Sequence, residues 1–261
     1  MIYNLFKNWQ AFLAAAATGF VFYLMSIYQS PLVFGVIFSI WLVLLAGFFY
    51  WYWQEDEIGL KRYLLTLLLT AVGFVGVFLI IEWVSIRLLV GVVAAISTGV
   101  IFAAPKKLDK GKIYEFKPWR RIFMMLVVLD TYLISTSVFG LNIFFQNNLP
   151  IPFWLLAIGL TLIFAIASVI IWQLYYQIPT KYFTIWILLI SVIILELIWA
   201  VQLLPFGYLS LGLIVTWIWY ILQLLVRFHI SKRGIIWRKQ KTFLVANSVL
   251  FIIFLYFLRW I

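Results

Sequence analysis

The sequence contains no cysteine, only one histidine and few charged residues. Of its 261 residues, 19 are Lys or Arg and 8 are Asp or Glu, so only 10% of the chain is charged. Without cysteine, disulfides and thiolate chemistry are excluded, and with a single histidine zinc sites and bis-histidine haem ligation are excluded too. Soluble domains contain about 25% charged residues. Because this chain has too little polar surface to cover a water-soluble fold, an integral membrane protein is the class that fits.

Long hydrophobic runs fill most of the chain. Hydrophobic residues make up 67% of it, and the mean hydropathy is +1.14. A helix that crosses about 30 Å of hydrocarbon needs about 20 apolar residues, and in lipid its backbone must be hydrogen-bonded within the segment. Nine segments meet this requirement: Trp9–Tyr28, Pro31–Trp53, Tyr63–Ile81, Val84–Ala104, Ile122–Phe145, Phe153–Gln177, Phe183–Leu204, Gly207–Val226 and Thr242–Trp260. Only Glu82, Trp83 and Arg87 mark the turn between the third and fourth, so eight helices remain an alternative there.

The positions of Lys and Arg predict the orientation. With nine helices and a cytoplasmic N-terminus, 17 of the 19 basic residues fall on the cytoplasmic side, as the positive-inside rule requires. The sequence therefore predicts an all-α, polytopic transmembrane helix bundle with its N-terminus inside, in a cytoplasmic membrane of the bacterial type. We expect one integral membrane domain, 1–261, in which the basic cytoplasmic loop 105–121 is the candidate hinge between possible halves 1–104 and 122–261.

Two acidic residues lie within predicted membrane-spanning segments, where ionisable groups are costly and need an explanation. Asp130 lies near the midplane of the fifth segment, and hydroxyl residues such as Thr131 and Ser135 follow it. Its carboxyl is expected to be protonated or hydrogen-bonded by those hydroxyls. Glu196 lies in the outer half of the seventh segment. Both acids have two interpretations, as a proton- or cation-coupling site or as a hydrogen bond that fixes helix packing.

Basic residues interleaved with aromatic residues form two predicted cytoplasmic loops. Such juxtamembrane clusters are attracted to anionic lipid head groups. They indicate positive-inside anchoring with lipid contact, or a docking site for a cytoplasmic partner or a partner membrane-protein subunit, and no nucleic-acid site. The candidate binding residues are Lys106, Lys107, Lys110, Lys112, Arg120, Arg121, Arg238 and Lys239.

Small residues recur at four-residue intervals in two segments and predict close helix packing. Such stripes are more often packing faces within one chain than dimer faces. They are Ala11, Ala15 and Gly19 in the first segment and Gly91, Ala95 and Gly99 in the fourth.

Signatures of catalysis are missing from the sequence. It contains no HExxH, GxSxG or Walker A motif and no paired Asp-rich motif for Mg²⁺-diphosphate. No lysine lies deep enough to form a retinal Schiff base, which excludes a rhodopsin. We therefore expect no cofactor, no metal and no catalytic residue.

Three runs carry a resemblance to a known family. RYLLTLLLTAVGFVGVFLI (Arg62–Ile80), RLLVGVVAAISTGVIF (Arg87–Phe102) and RRIFMMLVVLDTYLISTSVFG (Arg120–Gly140) resemble an uncharacterised family of polytopic bacterial membrane proteins. The resemblance covers about a third of the chain. It implies a multi-pass membrane fold, but no activity and no functional residue.

The sequence is compatible with three functions. The leading hypothesis is a non-enzymatic membrane subunit or scaffold that contacts lipids and partner proteins through its basic cytoplasmic loops. The alternative is a small proton- or cation-coupled transporter that uses Asp130 and Glu196. A membrane-embedded lipid-modifying enzyme is the third.

Overall fold

A computed structural model describes residues 9–28, 30–53, 57–104, 117–145, 151–176, 183–230 and 237–257. Side chains within these ranges are described except at 31, 52–62, 117, 145 and 237–240. Apart from a single 3-10 residue, the secondary structure of the described ranges is α-helical. The helices are α1 (Trp9–Ile27), α2 (Pro31–Trp53), α3 (Glu57–Ile80), α4 (Val84–Phe102), α5 (Lys117–Phe145), α6 (Phe153–Tyr175), α7 (Thr184–Val201), α8 (Tyr208–Ile230) and α9 (Trp237–Phe257).

Eight of the described helices, α1 to α8, are long and apolar enough to cross a membrane. The chain is therefore a polytopic membrane protein, as its composition predicts. The ninth helix starts with basic residues, and its apolar part, Lys241–Phe257, is shorter than the other spans. The end of the predicted ninth segment, 258–260, lies outside the described residues.

The turn between α3 and α4 is short but definite. The helical pattern stops at Ile80 and resumes at Val84. The Arg87 side chain donates a hydrogen bond from Nε to the Ile81 carbonyl and lies 5.4 Å from the Phe78 ring centroid. Arg87 thus satisfies a carbonyl at the end of α3 that has no partner within the helix. The eight-helix alternative is therefore wrong at this position.

The chain divides into two compact units, Met1–Asp130 and Thr131–Ile261, with the boundary inside α5. In the first unit, the two predicted stripes of small residues pack against each other. A Cβ atom on Gly19 would lie 3.5 Å from Ala95 Cβ, and one on Gly99 would lie 3.2 Å from Ala15 Cβ. Because the pairing runs from Ala15–Gly99 to Gly19–Ala95, α1 and α4 are antiparallel. The interpretation of the stripes as intramolecular packing faces is confirmed.

Also in the first unit, α3 and α5 run in the same direction. The Tyr63 and Phe123 rings lie 4.8 Å apart, and seven residues further along each helix Thr70 contacts Asp130. Two contacts with the same sequence separation define a parallel pair. This is the arrangement expected if α4 crosses the membrane back between them.

In the second unit, α6 and α8 are parallel and are joined by three hydrogen bonds at one register. The indole N–H groups of Trp219 and Trp172 and the hydroxyl of Tyr176 are the donors. The bonded pairs, each 51 residues apart, are Trp219 to Ser168 Oγ (2.9 Å), Trp172 to the Gln223 carbonyl (3.3 Å) and Tyr176 to the Arg227 carbonyl (2.7 Å). Helix α7 packs against both α6 and α8 and buries Ile190, Ile194 and Ile198.

Candidate functional site

Asp130 is a fully buried acid in the middle of a membrane-spanning helix. It lies one residue before the centre of the 29-residue helix α5, and its side chain has no exposed surface. Together with Phe123 and Val127 it forms the buried stripe of α5 within the first unit. Since an aspartate at the centre of an inserted helix costs about 2.5–3.5 kcal/mol, this position requires compensating interactions or a function.

The compensating interaction comes from α3. Thr70 Oγ1 lies 2.8 Å from Asp130 Oδ2 and 2.9 Å from the carbonyl of Thr66. The hydroxyl of threonine has only one proton, so it cannot donate to both oxygens at the same time. When Asp130 is protonated, it can donate to Thr70, which then donates to Thr66; when it is ionised, Asp130 and the Thr66 carbonyl compete for the single Thr70 proton. In either state, Thr70 links the carboxyl of Asp130 to the backbone of α3.

The second carboxyl oxygen of Asp130 makes no such contact. Asp130 Oδ1 is buried and has no hydrogen-bond partner among the described residues. A buried polar atom left without a partner costs about 1–3 kcal/mol. Asp130 therefore has the capacity for one more hydrogen bond, which a water molecule or a bound solute could supply.

Two of the hydroxyl residues that follow Asp130 donate to other groups. Ser135 is buried and donates a hydrogen bond to the Gly212 carbonyl of α8 at 3.0 Å, and Ser137 donates to the Leu133 carbonyl of its own helix at 2.7 Å. Thr131 is fully buried. The partner of Asp130 is Thr70, which the sequence reasoning missed. The signal available was the pair Thr66 and Thr70, four residues apart on one face of an otherwise apolar helix.

Gly212 allows α5 and α8 to approach closely at this point in the second unit. A Cβ atom on Gly212 would lie 2.8 Å from the backbone nitrogen of Thr136 and 2.9 Å from its Cα. No side chain fits there without a backbone shift, so the Ser135 hydrogen bond depends on glycine at position 212.

Glu196 has a different environment from that of Asp130. It is exposed on the surface of α7 and forms no hydrogen bond or ion pair with any described residue. It lies about 5 Å from the centre of the 18-residue helix by helical rise, well inside the hydrocarbon region. Membrane-embedded acids almost always face a protein interior or a water-filled cavity. Asp130 and Glu196 belong to different units.

Three side chains of the second unit have buried polar atoms without a partner, and the sequence reasoning missed two of these residues, Thr216 and Gln223. Thr136 Oγ1, Thr216 Oγ1 and both amide atoms of Gln223 are buried without a hydrogen-bond partner among the described residues. Thr216 and Gln223 are separated by seven residues on α8, with Trp219 between them on the same face. Unsatisfied groups of this kind are normally paired with ordered water.

The predicted binding residues of the basic loops are only partly described. Arg120 is half-buried and Arg121 is exposed in the first turns of α5. Arg238 and Lys239 lie in the first turn of α9, with side chains that are not described. Lys106, Lys107, Lys110 and Lys112 lie outside the described residues.

The comparisons add no functional assignment. No protein-family model matches the sequence, and no curated protein and no solved structure is significantly similar to it. The resemblance to an uncharacterised membrane family stays a prediction. Among the described residues, no group of three or more His, Cys, Asp or Glu side chains is placed to hold a metal ion.

Proposed function

We propose that this protein is a non-enzymatic, multi-pass membrane subunit that functions by assembling with other membrane protein chains. The observation that carries the proposal is the exposed Glu196 on α7. A carboxyl at this depth on a lipid-facing surface has no partner, whereas a protein interface would both cover it and offer a hydrogen bond. The apolar residues around it are also exposed, including Val192 and Trp199.

The basic cytoplasmic loops complete the proposal. They orient the chain with its N-terminus inside, in a cytoplasmic membrane of the bacterial type, and they bind anionic lipid head groups and partner proteins. Arg120 and Arg121 support this role because they lie at the start of a spanning helix, at the level where head groups are found.

The mass of the protein in its native membrane tests the proposal. Membranes that contain the tagged chain are extracted with a lipid-preserving copolymer, and the particles are measured by mass photometry after calibration with empty lipid particles. We expect a protein mass greater than the 30.6 kDa of one chain. Particles that contain a single chain and no other protein would refute the proposal.

A second candidate function is proton- or cation-coupled transport, and the Asp130–Thr70–Thr66 chain favours it. A carboxyl that is hydrogen-bonded to one hydroxyl, and has a second oxygen without a partner, has the elements of a proton relay. The test is infrared spectroscopy of the reconstituted protein, in which the carbonyl band of a protonated carboxyl is followed with pH. Transport predicts a band that titrates and disappears in Asp130→Asn. A band that is lost in the variant but does not respond to pH would assign Asp130 to packing alone.

A further inference from the structure

One side of α7 packs in the second unit, and the opposite side is exposed. The packed side contains Ile190, Ile194, Ile198 and Val201, all nearly or fully buried. The exposed side is broad and includes Leu188, and along it lies a seam of six exposed residues that continues past the helix end at Val201. These residues are Ile185, Leu189, Val192, Glu196, Trp199 and Leu203.

The seam residues can serve as the a and d positions of a contact with a second helix. They follow one another at intervals of four, three, four, three and four residues, which are the a and d positions of a heptad repeat. A 3.5-residue period keeps one stripe facing a partner helix along its whole length. Trp199 also contacts the Phe153 ring of α6 at 5.6 Å, which fixes its position at one end of the seam.

Glu196 occupies an a position in this seam. A single polar residue at an a position selects one register and one oligomeric state, because misaligned partners would leave it without a hydrogen bond. Two chains inserted with the same orientation are related by a two-fold axis along the membrane normal. This axis places each seam residue at the same depth as its copy, so Glu196 meets Glu196.

We propose that α7 packs against α7 of a second copy of this chain, as a parallel two-fold dimer with the two Glu196 carboxyls hydrogen-bonded across the axis. A carboxylic acid group both donates and accepts, so it is complementary to itself. An isologous interface needs this kind of self-complementarity. The inference rests on the proposed function, since it names the partner at the same surface.

Cysteine cross-linking tests the seam directly, because the chain contains no native cysteine. Leu189→Cys and Val192→Cys place a thiol on the seam. Leu162→Cys is the matched control, since Leu162 is an exposed residue of α6 in the same unit. Native membranes are oxidised with copper phenanthroline and analysed on non-reducing gels. We expect adducts of two chains from both seam variants and none from the control.

Substitution of Glu196 tests the hydrogen bond. Single-molecule photobleaching in liposomes gives the dimer dissociation constant over a range of protein-to-lipid ratios. Interhelical hydrogen bonds in membranes predict that Glu196→Leu weakens the dimer by about 3-fold to 18-fold, while Glu196→Gln stays within about twofold of the original chain. Circular dichroism checks that both variants keep their helix content.

The outcomes separate this inference from the proposed function. Two-chain adducts at the seam together with a weaker Glu196→Leu dimer support the inference. Adducts with a different protein, without two-chain adducts, overturn the second copy as partner but leave the membrane-subunit function standing. Seam thiols that form no adduct, in particles that contain one chain, overturn both. A Glu196→Leu dimer as tight as the original would overturn the role of the carboxyl.

Discussion

The contact between Thr70 and Asp130 makes a quantitative prediction about stability. Replacing Thr70 by valine keeps the shape of the side chain but removes the hydroxyl that lies 2.8 Å from Asp130 Oδ2. Hydrogen bonds between membrane helices contribute about 0.6 kcal/mol on average and about 1.7 kcal/mol at most. The substitution also leaves Oδ2 buried without a partner, as Oδ1 already is, and this adds a desolvation cost. We expect Thr70→Val to lower the free energy of unfolding by about 1–2 kcal/mol.

A double-mutant cycle isolates the contact from the cavity that each substitution leaves. The variants are Thr70→Val, Asp130→Ala and their combination, and the assay is reversible unfolding in mixed lipid–detergent micelles. We expect a coupling energy of about 0.6–1.7 kcal/mol. Thr18→Val is the matched control, because Thr18 is also fully buried in the first unit but donates only to the Ala14 carbonyl of its own helix. Additive effects in the cycle, or an equal loss in Thr18→Val, would refute the reasoning.

Three other predictions follow from the packing and the charge. Gly212→Ala forces its Cβ against the Thr136 backbone and should lower the free energy of unfolding by about 1–3 kcal/mol. Gly159→Ala is the control and should cost no more than about 0.5 kcal/mol, because there is open space around Gly159. Equal effects of the two substitutions would contradict the close approach at Gly212. Trp219→Phe removes the donor to Ser168 and leaves a cavity at a fully buried position, so it should cost at least about 1 kcal/mol by the same assay, and an unchanged stability would show that this bond contributes nothing. Neutralising four loop lysines should lower the amount of anionic lipid that copurifies, measured by lipid mass spectrometry, and unchanged lipid would count against lipid binding there. The four changes are Lys106→Gln, Lys107→Gln, Lys110→Gln and Lys112→Gln.

Much of the fold was predictable because the membrane restricts the solutions. The lengths of the apolar runs predicted the helices, and their bounds agree with α1 to α8 to within a few residues, except at the start of α3 and α5 and the end of α8, where each helix extends about four to six residues further. The stripe of Gly91, Ala95 and Gly99 predicted close packing, since only small residues let two helix backbones approach. Its partner stripe on α1 was also visible in the sequence, though the sequence did not pair them.

The candidate site was less predictable, because it depends on contacts between distant parts of the chain. Asp130 stood out from the sequence as an acid in an apolar run, but its partner Thr70 is 60 residues away. The local sequence suggested hydroxyls of the same helix as hydrogen-bond partners of Asp130, but one of them, Ser135, donates to the Gly212 carbonyl instead. Tertiary packing alone determines which face of a helix contacts which neighbouring helix.

The sequence alone determined that this is a polytopic helical membrane protein, because composition and run length leave lipid as the only compatible solvent for its surface. It also determined that acids lie at positions 130 and 196, within those runs. Only the tertiary structure decided that these two acids differ, one fully buried against Thr70 and the other exposed on α7. The physical reason is that burial depends on how each helix is rotated about its axis, and this rotation is set by the fit of neighbouring side chains.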